Sequence, residues 1–318
     1  MSLRIVYMGT PEFAVAPLKA ILEAGYEVAA VVTMPDKPAG RGMNLQQSPV
    51  KQFALEKGLP VLQPEKLKDE AFIAELKRFK ADIQVVVAFR MLPEVVWNMP
   101  PKGTFNLHAS LLPQYRGAAP INWAIINGEK RTGVTTFFLE HQIDTGNIIY
   151  QKKTTILPKD NIETVYDKLM ILGSDLVLKT LKAVESGNCP SVPQHFSGEL
   201  KPAPKIFKET CRIDWNRRAS DIHNLIRGLS PYPAAWCMMN DGKKDYYVKI
   251  FCTAKQSGPV PKIMQASGGC SKIEKQKLKV ACLDNYLQIL DLQVEGKKRM
   301  AAADFLRGLQ HPEQLKFF

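Results

Sequence analysis

The first 140 residues constrain the fold most: short apolar runs rich in β-branched residues alternate there with helical patterns. Such alternation builds βαβ units around a parallel sheet covered on both faces, because each crossover lays a helix over the strands it joins. Leu3 to Met8 reads as the first strand and Glu12 to Ala24 as a helix closed by Gly25. Val28 to Met34 is the second strand, followed by a Pro/Gly-rich loop from Pro35 to Gly42 and a helix from Pro49 to Lys57 closed by Gly58. Ala81 to Phe89 is the most apolar run and is expected at the centre of the sheet, since a buried parallel strand loses the polar alternation of a half-exposed one. Gly103 to Ala109, Gly133 to Glu140 and Asn147 to Lys153 complete the sheet, and Asn161 to Val184 reads as a long helix.

At 318 residues the chain is long enough for two cores. Between Ser186 and Lys205 stand Pro190, Pro193, Pro202 and Pro204, a density that sustains neither helix nor central strand. The expected division is a first domain over 1–185, a linker over 186–206 and a second domain over 207–318. In the second, Ala219 to Leu229 reads as a helix. Trp236 to Met239, Tyr246 to Cys252, Leu278 to Cys282 and Tyr286 to Leu292 read as strands of a small barrel.

The apolar run Ile5 to Met8 stops at Gly9-Thr10-Pro11, far short of a signal or membrane segment, so a cytoplasmic location with no membrane partner is expected. Six cysteines, all in the second half and without a CxxC pair, predict reduced and mostly buried thiols, and no metal is expected. Net charge is +12, and residues 208–318 hold 19 Lys and Arg against 11 Asp and Glu, so two thirds of the excess lies in the last third of the chain. An excess of that kind attracts a polyanion, though a solvated lysine surface is the plainer reading.

The first strand ends without the GxGxxG of a dinucleotide site, and no GxxxxGK[ST] occurs, which leaves nicotinamide and nucleotide-hydrolysing chemistry without a motif. The informative stretch is Phe105-Asn106-Leu107-His108-Ala109-Ser110-Leu111-Leu112-Pro113. Two residues apart on a strand, Asn106 and His108 face the same way, near the carboxyl edge where open α/β sheets bind ligands. Asp144, in Ile143-Asp144-Thr145-Gly146, follows the next strand and can return to that edge. An amide donor, an imidazole and a carboxylate are the groups that acyl transfer to an amine requires. Taken alone, the same residues also suit ordinary caps and turns.

The run Asn106-Leu107-His108 followed by Ser110-Leu111-Leu112-Pro113-Gln114-Tyr115-Arg116-Gly117-Ala118-Ala119-Pro120-Ile121 closely resembles the signature of the folate-dependent formyltransferases. The opening Gly9-Thr10-Pro11-Glu12-Phe13, the loop Pro35 to Gly42, Ser48-Pro49-Val50-Lys51 and Ile213-Asp214-Trp215 extend the resemblance over nearly the whole chain. It implies an α/β fold with a Rossmann-like, mostly parallel sheet domain followed by a small OB-like β-barrel domain. It implies 10-formyltetrahydrofolate as formyl donor and initiator methionyl-tRNA as acceptor; a monomer is expected, though the sequence does not fix the oligomeric state. Carried over by position, it makes Asn106, His108 and Asp144 catalytic. Ser110, Leu111, Leu112 and Pro113 match the folate-contacting turn, and Phe89, Arg90, Met91 and Leu92 the loop that meets the pterin. The sequence departs from the pattern at Arg90, near which glycine is usual, and at Glu140-His141-Gln142-Ile143. His141 reads as a loop residue outside the chemistry.

The loop from Asp36 to Lys51 resembles the family's insertion into the tRNA acceptor arm, with Arg41 leading, Gly40 and Gly42 flanking it, and Lys37 and Lys51 as further cations. On the second domain Lys243, Lys244, Lys249, Lys297, Lys298 and Arg299 are candidate phosphate contacts by charge clustering. Two other readings stay open. One is a formyltransferase acting on a small amine, such as glycinamide ribonucleotide or an amino sugar nucleotide; the other is a folate-sensing RNA-binding protein without turnover.

Overall fold

The computed structural model describes residues 3–39, 44–255, 269–274 and 276–318. In chain order the elements up to the signature are β1 (Arg4–Gly9), α1 (Val15–Glu23), β2 (Glu27–Val32), β3 (Lys37–Ala39), β4 (Asn44–Gln46) and α2 (Pro49–Glu56). Next come β5 (Val61–Leu62), α3 (Glu70–Arg78), β6 (Ile83–Val87), α4 (Glu94–Trp97) and β7 (Thr104–His108). After the signature run α5 (Pro120–Ile126), β8 (Arg131–Phe138), β9 (Ile148–Thr155), α6 (Ile162–Glu185) and α7 (Ala219–Leu229). Then follow β10 (Ala235–Asn240), β11 (Asp245–Lys255), β12 (Ser271–Glu274), β13 (Lys277–Ala281), β14 (Tyr286–Val294), β15 (Met300–Ala301), α8 (Ala302–Arg307) and β16 (Lys316–Phe317).

The chain forms two compact units. The first holds Met1–Gly117, Arg131–Thr154 and Tyr166–Pro202. Its sheet runs β5-β2-β1-β6-β7-β8-β9, parallel from β5 to β7, with β8 antiparallel to β7. All five residues of β6 are buried and the strand lies fourth of seven, the central place its apolar run predicts. Caps set the helix starts: Ser48 Oγ accepts from Lys51 N at 3.0 Å with Pro49 beside it, and Asp69 accepts from Ala71 N at 2.9 Å. On α6 the buried positions Val165, Leu169, Leu176 and Thr180 recur at helical spacing. A Cβ at Gly173 would stand 2.7 Å from Leu107 Cδ2, so that glycine lets α6 lie close against β7.

The second unit holds Ala118–Lys130, Thr155–Val165 and Ala203–Phe318. Its sheet runs β12-β13-β14-β11-β10-β16 through antiparallel pairs, with β15 on β14. A bridge between Cys270 and Lys316, with Phe317 N donating to Gly269 O at 3.0 Å, joins the two ends of that order and nearly closes a barrel. Strict alternation of buried and half-buried residues along β10 supplies its core face. Trp215 and Phe317 meet edge to face inside at 5.9 Å. The helix α5, cut from the middle of the first unit's sequence, packs here: Asn122 Nδ2 donates to Gly228 O at 2.8 Å, and a Cβ on Gly228 would stand 2.7 Å from Ile126.

The fold is therefore the mostly parallel α/β sheet and antiparallel barrel that the resemblance implies. Lys37 to Ala39, within a segment expected as plain loop, instead form the first arm of a hairpin, with Lys37 opposite Gln46 and Ala39 opposite Asn44. The six cysteines are free, yet only Cys211, Cys237 and Cys282 are buried; Cys252 is exposed, so the expected burial holds for half of them. Burial pushes the Cys237 thiol up to about 12. Among the described residues no helix is long and apolar enough to cross a membrane.

Candidate active site

Parallel pairing of β7 with β6 places Asn106 beside Val86, and antiparallel pairing with β8 sets His108 opposite Thr135. Asn106 is half-buried and His108 buried, two positions apart on one face of the strand. The Nε2 of His108 lies 2.8 Å from the carbonyl oxygen of Tyr115 and therefore donates there. Nδ1 faces Asp144, whose Oδ2 is 3.8 Å away, an ion-pair distance rather than a hydrogen bond. Both side chains are nearly enclosed, at 7% and 12% exposure, so the field between them is weakly screened. The same Oδ2 accepts from Gly117 N at 2.9 Å. Asp144 itself has φ 54 and Tyr115 φ 61, left-handed conformations that residues with a Cβ hold only where the surroundings fix them.

The turn after β7 is tied down from below. Ser110 Oγ donates to Gln114 O at 2.7 Å, Thr135 Oγ1 donates to Ser110 O at 2.7 Å, and Leu112 N donates to Thr135 Oγ1 at 3.2 Å. Gln151 Nε2, from β9, reaches Leu112 O at 2.7 Å. Leu111 is half-buried, Leu112 buried, and the Leu112–Pro113 peptide is cis. The turn is laced from the other side by the proline-rich stretch: Tyr115 N donates to Lys201 O at 2.7 Å, and Gln114 Nε2 to Glu199 O at 3.0 Å.

Arg90 explains its own departure from the glycine usual in the pattern. Its guanidinium donates to the carbonyls of Pro64 at 2.7 Å and Glu65 at 3.0 Å and stacks over Phe89. The loop after β6 is thereby tied to the loop after β5, leaving Leu92 buried and Met91 75% exposed. Thr10 Oγ1 and Arg90 Nε, after β1 and β6, are buried polar atoms without a hydrogen-bond partner. Such atoms need satisfying, and the edge of a pterin ring, rich in donors and acceptors, suits them.

Lys37 is exposed at the start of the hairpin, whereas Lys51 is held at its base, Nζ 2.6 Å from Asp36 Oδ2 and 14% exposed. Gln63 donates to the other Asp36 oxygen at 2.8 Å, and these two bonds hold that carboxyl below its ordinary range. This network makes Lys51 a brace at the base of the hairpin rather than a free cation. Gly40, Arg41 and Gly42 lie outside the described residues. Lys243 and Lys244 are exposed at the turn between β10 and β11, and Lys249 is half-buried opposite Trp236. Arg299 is engaged by Asp291, with Nε at 2.7 Å. His141 is 74% exposed, near Glu94 and against Trp97, in keeping with a loop role.

Asn106 and His108 share one face of β7 at the carboxyl edge of a largely parallel sheet, with the Asp144 carboxylate facing His108, in a chain that continues into an antiparallel barrel; this is a formyl-transferring enzyme. Residues 3–181 match the family described as formyl transferase, and residues 205–310 match its C-terminal domain. The chain belongs to the formyltransferase family. It is 57% identical over 319 residues to a methionyl-tRNA formyltransferase of Bacteroides fragilis, covering 99% of this chain and 97% of that one. The enzyme of the same name from Flavobacterium johnsoniae is 49% identical over 316 residues, covering 99% of each. Among solved structures, the sugar 3N-formyltransferase WlaRD superposes with TM-score 0.65 at 18% identity, over 94% of this chain and all of that one. HypX from Aquifex aeolicus in complex with tetrahydrofolic acid gives 0.62 at 19% identity, over 97% of this chain and 48% of that one. At such identities these two likenesses speak for the fold alone.

Proposed function

We propose that this enzyme transfers the formyl group of 10-formyltetrahydrofolate to the free amine of methionine carried by initiator tRNA, in the cytoplasm. The observation that carries the reading is the enclosed approach to Asp144 of His108, two residues beyond Asn106, in a chain 57% identical to a methionyl-tRNA formyltransferase. The donor supplies a formyl carbon already bonded to a nitrogen that can leave. When the incoming amine bonds to that carbon, negative charge gathers on the formyl oxygen, and Asn106 is the side-chain donor placed to meet it. Loss of such a donor costs about 2.7 to 4 kcal/mol of barrier.

Because His108 Nε2–H is committed to Tyr115 O, the neutral ring keeps its lone pair at Nδ1. The proton shed by the attacking nitrogen passes to that atom and is then held against Asp144. Returned to the departing nitrogen, it completes the exchange; general acid–base help of this kind is worth about 10²- to 10⁴-fold. The turn Ser110 to Pro113 and the loop Phe89 to Leu92 hold the donor, and Thr10 Oγ1 offers it an unused hydroxyl. The segment whose sequence carries Lys37 and Arg41 and the basic surface of the barrel unit, including Lys243, Lys244 and Lys249, receive the RNA. In this assignment residues 1–185 carry the chemistry, 186–206 connect, and 207–318 bind tRNA.

The test is a competition: formyl donor is offered with charged initiator tRNA, free methionine, glycinamide ribonucleotide and an amino sugar nucleotide. The expected product is formylmethionyl-tRNA alone. Formylation of a small amine with the tRNA untouched would establish the small-acceptor reading instead, and binding of folate and RNA without any product would establish the sensor.

A further inference from the structure

The backbone turn that carries the Asp144 carboxylate is held by a side chain outside every motif, Gln194, in the stretch that follows α6. Its Nε2 donates to the carbonyl oxygens of Asp144 at 2.9 Å and Gly146 at 2.8 Å. Its Oε1 accepts from Arg116, at 2.6 Å from Nη2 and 3.2 Å from Nε. One amide thus uses both its donors and its acceptor at once, which fixes its orientation. The two partners it joins are the ones that place Asp144. One is the Asp144 backbone itself, left-handed at φ 54. The other is Arg116, whose neighbour Gly117 donates its N–H to the Asp144 carboxylate. The stretch carrying Gln194 is itself pinned, since Val192 and Ile148 exchange backbone hydrogen bonds at 2.8 and 2.9 Å and Asn147 Nδ2 donates to Ser191 Oγ at 2.9 Å.

We propose that Gln194 is a positioning residue for formyl transfer: it sets the backbone of the Asp144 turn and the signature loop in one register, so that the carboxylate stands where His108 needs it. The inference rests on the reading above in which Asp144 holds the His108 proton. The alternative is that Gln194 merely fastens the proline-rich stretch to the first unit.

The experiment measures kcat, KM for charged initiator tRNA, folate Kd and melting temperature for the full chain carrying Gln194→Ala, Gln194→Glu, Asp144→Asn, and Asp144→Asn with Gln194→Ala. Gln194→Glu keeps an acceptor toward Arg116 but turns an acceptor toward two carbonyls. Both single Gln194 variants are expected to lose about 10- to 100-fold in kcat, since displacement of a catalytic group by about 1 Å costs on the order of 10²-fold. KM for tRNA, folate Kd and melting temperature stay near those of the unmodified chain. In the double variant Gln194→Ala adds no further loss, because the group it positions is already disabled. An impaired Asp144→Asn beside Gln194 variants of normal kcat, or losses that multiply in the double variant, would overturn the proposal and leave the catalytic reading intact. Normal turnover of Asp144→Asn would bring down the catalytic reading itself. If Gln194→Ala does not fold, Gln194→Glu makes the same comparison; unfolding of both would show a scaffold role and overturn the proposal.

Discussion

A ring nitrogen that already donates cannot take a proton, and in the proposed mechanism this exclusion leaves His108 a single working atom. With Nε2 bound to Tyr115 O, only Nδ1 can act as base, and it is the nitrogen that faces Asp144. In the proposed mechanism Asn106 contributes something different, a neutral donor whose bond strengthens only as charge develops on the formyl oxygen. The two truncations should therefore differ in kind. Asn106→Ala is expected to lower kcat by about 10²- to 10³-fold at every pH, with the folate Kd unchanged. His108→Ala should lower kcat by about 10²- to 10⁴-fold and recover in part when small exogenous imidazoles are added. Steady-state rates together with folate titration decide this, and retention of turnover in either variant removes the role assigned to it.

At the level of elements, the close approach between β8 and the turn before β9 depends on one missing side chain. A Cβ on Gly146 would stand 1.7 Å from the carbonyl oxygen of Phe138, a backbone atom that cannot step aside. Gly146→Ala must therefore displace the Asp144 turn. It should destabilise by about 1 to 3 kcal/mol, as overpacking does, and lower kcat as the carboxylate moves. Urea denaturation and steady-state rates check the two effects. The Asp-Thr-Gly spacing was legible because the motif is local, and so were β6 and α7, whose apolar runs have one period each. Gln194 was not: its partners lie 48 to 78 residues away, and a glutamine in a proline-rich stretch carries no local sign of what it will bind. The assignment of α5 to the second unit was hidden for the same reason, since the contact through Gly228 joins residues 106 apart. The two-residue strands β5, β15 and β16 are too short to show a period at all.

For the molecule as a whole, protons and salt act through different residues. His223, on α7, accepts or donates a hydrogen bond with Thr253 at 2.9 Å. Burial, with the charges of Arg227 and Lys255 adding to it, depresses its pKa to about 4 from 6.5. Here the folded state takes up its proton later than the unfolded chain. The stability tied to this residue is thus complete above about pH 6.5, falls as the pH drops toward 4, and changes no further below. The difference amounts to about 3 kcal/mol at most, at about 1.4 kcal/mol per pH unit. The unfolding free energies from urea titrations at pH 7 and pH 4.5 should converge in His223→Gln by about 2 kcal/mol.

Salt acts instead on the outside of the barrel unit, where the chain keeps most of its positive excess. Lys243 and Lys244 stand exposed at the turn between β10 and β11, and their backbone N–H groups are fixed by Asp241 Oδ1 at 2.9 and 3.0 Å. A turn anchored in this way presents its cations in a constant position. Each lysine that meets a phosphate releases counterions from the RNA, so the slope of log K against log salt should flatten by about 0.7 to 0.9 for each one replaced by alanine. Lys243→Ala with Lys244→Ala should therefore weaken binding of the charged tRNA most at low salt and little at high salt, with folate affinity unchanged. Binding isotherms across a salt series test this. An unaltered slope would mean that this turn does not touch the RNA, and that the excess charge of the barrel unit acts elsewhere on its surface.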